Sequence, residues 1–166
     1  MPWAEGVDQP MALRQRPERV IEKDGIMVIK DVFEQFLSEQ QSQLAPKTYR
    51  DYASVIELFE HQLEGYAWNN LANGQKAYEA AQKKGKSFID LYDHTHIADN
   101  VSEFLDYFVP RKVMAGNAFI LKTCPRVIRK LLRWMREKKL IDITNDEIQG
   151  MRENQLWEDT VKDLGL

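Results

Sequence analysis

The chain has 166 residues, 43% hydrophobic and 30% charged, with a formal net charge of -3 and a pI near 5.7. That length gives one domain with a sizeable core and excludes two full-sized units. A lone cysteine, Cys124, excludes an internal disulfide, and no apolar run reaches the length of a membrane span or a signal-peptide core, so a cytoplasmic protein without membrane contact is expected.

Residues 1–17 carry three prolines and no periodicity, which reads as a flexible arm. Two β-prone runs then flank Asp24-Gly25, and Asp-Gly between apolar runs predicts a small β-hairpin over 18–30, because a type I′ turn needs positive φ at both central residues. From Asp31 the spacing turns helical: Val32, Phe33, Phe36 and Leu37 make a short amphipathic helix that frays into a polar run. Ala45-Pro46-Lys47-Thr48 opens a long second helix with Pro46 in its first turn. Tyr49, Tyr52, Ala53, Ile56, Phe59 and Leu63 recur there at spacings of three and four, and Gly65 is the expected stop. Those aromatics read as core, because stacking platforms belong on open sheets or loops.

Asn and Gly breakers make 66–87 look like an insertion rather than core, with a short helix over Gln75 to Lys84 capped by Gly85. Asp93 or Thr95 then caps a helix bearing Ile97, Val101, Phe104, Leu105 and Phe108, which Pro110 should end. A short helical piece around Val113 to Leu121 leads into the stretch TCPRVIRKLLRWMREKK, 123–139. On a helix, Val127, Ile128, Leu131, Leu132, Trp134 and Met135 form one apolar face, with Arg126, Arg129, Lys130 and Arg133 opposite and Arg136 at the edge. Pro125 is expected in its first turn, capped by Thr123 or Cys124. Thr144 and Glu147 form a capping box that opens a C-terminal helix over 143–166, bearing Ile148, Met151, Leu156, Trp157, Val161 and Leu164.

Charge is polarised along this layout. Between Arg111 and Lys139 ten cations meet one anion, Glu137, for +9, so the remaining residues carry -12. A basic face on a buried helix is ordinarily just a solvated back. One-sidedness of this degree also fits a surface that meets phosphates or an acidic protein.

PKTYRDYASVIELFEHQL, the later FIDLYDHTHIADNVSEFL and TCPRVIRKLLRWMREKKLI together resemble the core-binding domain of tyrosine recombinases, a phage-integrase-like, SAM-like helical fold. Pro46, Lys47, Thr48, Tyr52 and Phe59 fall at matching places, as do Leu91, Asp93, Phe104, Leu105, Thr123, Leu131, Trp134, Glu137 and Ile141. The likeness spans 31–142. Ala45 departs from it by replacing a capping serine, and so does Lys139, where a glycine cap is common. The chain also ends where a recombinase would begin its catalytic domain, so no enzymatic activity is expected. What the resemblance implies is an all-α, compact orthogonal bundle that binds duplex DNA through Lys47, Lys122, Arg126, Arg129, Lys130, Arg133 and Arg136. The alternative is a protein-interaction bundle whose basic face meets an acidic partner.

Other chemistry is sparse. His94 and His96 with Asp93 and Asp99 could be drawn as a metal site, but zinc needs three or four converging ligands, so neither metal nor cofactor is expected. Basic neighbours could lower the Cys124 pKa, although a buried or capping thiol is the ordinary outcome.

Overall fold

The structure is a computed structural model that describes residues 26–113 and 118–150. The expected arm lies outside that range, as do most of the hairpin and most of the C-terminal helix. The described residues are almost wholly helical: α1 (Ile29–Gln43), α2 (Pro46–Tyr66), a 3-10 turn (Ala67–Asn70), α3 (Gly74–Lys84), α4 (Phe88–Leu91), α5 (Thr95–Glu103), a π turn (Phe104–Phe108), α6 (Val109–Val113), α7 (Ala118–Glu137) and α8 (Asn145–Gln149). The class is therefore all-α. Helix α1 starts two residues before the predicted Asp31, so Ile29 and Lys30 are helical rather than the end of a hairpin strand. The one β contact among the described residues is an isolated antiparallel bridge between Val28 and Asp93.

One apolar cluster joins these pieces. Phe33, Phe36, Tyr52, Ile56, Phe59, Phe104, Leu131 and Trp134 are all buried in it, as their spacings predict. Phe59 lies between two rings, 5.7 Å from Phe33 and 4.6 Å from Phe104, which ties α1, α2 and the π turn together. Phe36 does the same for α2 and α7, stacking on Tyr52 at 6.3 Å and meeting Trp134 edge-on at 5.8 Å.

Residues 66–87 belong to this core more than their breakers imply. Trp68 is 4% exposed and packs against Phe88 at 5.1 Å and Tyr92 at 5.7 Å. Its indole N–H donates to the Glu64 carbonyl at 2.8 Å, while the Glu64 carboxylate accepts from the Phe88 amide at 2.8 Å. Helix α3 ends where expected, on Gly85 in the left-handed region at φ 68. Gly74 opens it because a Cβ there would sit 1.9 Å from the Trp68 carbonyl oxygen.

Two prolines act differently from their local rule. Pro110 does not stop the helix, which continues through α6 to Val113. The preceding π turn accounts for this: Val109 N–H bonds five residues back to the Phe104 carbonyl, so the ladder is already widened where the proline ring would crowd an α-helical carbonyl. Pro125 likewise sits inside α7, not at its start, because the predicted piece ending at Leu121 is continuous with the basic helix from Ala118. An interior proline costs about 3 kcal/mol. Burial of Thr123, Cys124, Val127 and Ile128 around it supplies the compensating packing.

Candidate nucleic-acid interface

Helix α7 positions most of the cations that the sequence singles out. Its inner side, Cys124, Val127, Ile128, Leu131, Leu132, Trp134 and Met135, is buried throughout. On the other side Lys122, Arg126 and Lys130 are exposed, and Arg129, Arg133 and Arg136 are half-buried. From Lys122 to Arg136 the row covers about 21 Å of helix axis. Lys47 stands apart: it is exposed in the first turn of α2, two residues from the uncapped Ala45.

The C-terminal half of this row is partly occupied by the chain itself. Arg133 donates to the Gln149 side-chain oxygen, and Arg136 donates to the Ile143 carbonyl at 3.4 Å. These contacts come from the segment that carries α8, which the predicted capping box starts. The Thr144 hydroxyl accepts from Glu147 N–H at 3.1 Å, and the Glu147 carboxylate accepts from Thr144 N–H at 2.9 Å, which holds that carboxyl below its ordinary pKa. Ile148 is fully buried, and α8, the described start of the expected C-terminal helix, packs on α7. Among the described residues the uncommitted charge therefore lies in the N-terminal part of the row, at Lys122, Arg126 and Lys130.

The end of α7 is fixed by side chains from α1. Trp134 donates its indole N–H to Glu39 at 3.0 Å, Lys138 pairs with the same carboxylate at 3.2 Å, and the Lys138 ammonium lies 5.5 Å from the Trp134 ring centre. Lys139 adopts φ 64, its amide bonding to the Arg136 carbonyl at 3.0 Å and the Leu140 amide to the Met135 carbonyl at 2.9 Å. That is the Schellman ending, normally made by glycine, realised here with a lysine.

The histidine cluster is structural. His94 is 5% exposed, its Nδ1 accepts from the Met27 amide at 3.2 Å, and its own amide donates to the Met27 carbonyl at 2.7 Å. His96 meets Phe88 and Tyr92 edge-on. Among the described residues no three His, Cys, Asp or Glu side chains converge on a metal position. Burial pushes the Cys124 thiol up to about 12, so its basic neighbours do not activate it.

A second surface feature has no clear mark in the sequence. A cleft of about 220 Å³ is lined by Tyr66, Glu103, Tyr107, Phe108 and Arg111. Its tyrosines are unusually open for large apolar rings, 46% exposed at Tyr66 and 52% at Tyr107. The helical pattern assigns Phe108 to the core and counts Arg111 only as charge, and neither reading brings the five together. No helix among the described residues is long and apolar enough to cross a membrane. No family model, curated protein or solved structure matches the chain.

Proposed function

We propose that the chain is a non-catalytic DNA-binding module of the recombinase core-binding kind, an orthogonal helical bundle that rests on duplex phosphates through the outer face of α7. The observation that carries this reading is the segregation on α7: the inner positions from Cys124 to Met135 are buried, while Lys122, Arg126 and Lys130 stand exposed on the other side. Lys122, Arg126 and Lys130 span about 12 Å of axis, which matches about three phosphates of one strand at roughly 3.4 Å rise. Such contacts fix register and orientation without reading sequence. The buried thiol of Cys124 suits a reducing cytoplasm.

A second reading, a protein-interaction bundle with an acidic partner, is favoured by one observation: Arg133 and Arg136 are already held by oxygens of the chain itself. The double variant Arg126→Ala/Lys130→Ala separates the two. Both side chains are exposed, so the fold should survive. Under the DNA reading it binds all duplex sequences more weakly, and its salt slope is shallower by about two units. Under the other reading there is little duplex binding to lose, and capture of an acidic protein declines instead.

A further inference from the structure

The cleft beside the π turn is built from unlike parts that fit one kind of occupant. Tyr66, at the end of α2, meets Phe108 edge-on at 5.8 Å, which sets an exposed ring at the rim of the cleft. Across it, the Arg111 guanidinium lies 5.2 Å from the Tyr107 ring centre and donates to the Tyr107 carbonyl at 3.0 Å, so its plane is held rather than free to swing. Glu103 supplies one carboxylate on the same wall. π turns widen a helix locally and occur often at functional sites.

Each simpler occupant meets an objection. An anion would face Glu103 and a cation would face Arg111. An aliphatic side chain would leave both charged groups unused and partly desolvated. A flat, neutral ring system with N–H donors on its edge and a linked anion uses all of them. It stacks on Tyr66 or on the guanidinium plane, donates to Glu103, and sets its anion toward Arg111. We propose that the cleft holds a single unpaired nucleobase, taken from a strand whose duplex portion lies along α7. This rests on the DNA reading for its direction of approach: Arg111 belongs to α6, and α6 packs on α7. A volume of about 220 Å³ suits one ring system.

The test compares a blunt duplex with the same duplex carrying a short single-stranded tail, by fluorescence anisotropy at low salt. The tail should raise affinity at least about fivefold, the lower end of what one stacked base contributes. Tyr66→Ala and Tyr107→Ala should each remove most of that gain and leave blunt-duplex affinity unchanged. Tyr66→Phe, which keeps the ring, should retain the gain, and this distinguishes stacking from a folding defect. A tail that adds nothing to a bound blunt duplex, or a gain that survives both alanine variants, overturns this proposal and leaves the duplex reading intact. Tyr66-dependent binding of the tail without any blunt-duplex binding supports the cleft and overturns the duplex reading. Failure to bind either DNA overturns both.

Discussion

Gln62 is fully buried in α2, and among the described residues neither its amide nitrogen nor its oxygen meets a hydrogen-bond partner. A desolvated, unpaired amide costs about 1–3 kcal/mol. Gln62→Met keeps the side-chain length and removes the dipole, so it should raise stability by an amount of that order, read from the urea midpoint. Cys124 gives a pH-dependent counterpart. Its folded-state pKa is raised from 9.0 to about 12 by burial, so the folded chain keeps the proton over a range in which the unfolded chain releases it. Both states hold it below 9.0, and stability is then fully present. Between 9.0 and about 12 the unfolded state is favoured by ionisation, and stability should fall as pH rises. Cys124→Ala should flatten that decline, and native Cys124 should resist iodoacetamide until the protein is denatured.

The helices fall into those legible from spacing and those decided by contacts from elsewhere in the chain. The inner faces of α2 and α7 follow directly from apolar residues three and four apart, and α3 ends on the glycine that its sequence marks. Pro110 was legible only as a breaker and Pro125 only as a first-turn residue, because the π turn and the buried stretch that accommodate them depend on tertiary packing. Trp68 looked peripheral among Asn and Gly, yet it is core because Glu64, Phe88 and Tyr92 surround it. Ala45 is a helix start without a side-chain cap, with extended φ -62 and ψ 151. Ala45→Ser should supply the missing acceptor and stabilise by about 1 kcal/mol in thermal or chemical melts. Trp134 carries the opposite expectation: it packs on Phe36 and bonds Glu39, so Trp134→Ala should cost about 3–5 kcal/mol. A loss under about 1 kcal/mol would place that ring at the surface.

For the whole molecule, the net charge of -3 is a poor guide to its field. Helix α7 presents six cations, whereas 88–110 carries five acids and no lysine or arginine. The polarity was legible in sequence. What was not legible is how the cations divide, because Arg133 and Arg136 turn to Gln149 and Ile143 through a return of the chain that no local spacing encodes. The cleft at Tyr66 and Tyr107 was hidden for the same reason, its parts coming from helices 37 or more residues apart. The claim that α7 rests on phosphates is tested most directly by the intact protein's affinity for a blunt duplex across a salt series. With three to six cations engaged, the log–log slope should lie between about -2.7 and -5.4, at -0.9 per contact. Duplex binding that is undetectable at low ionic strength, or that does not change with salt, would contradict the account.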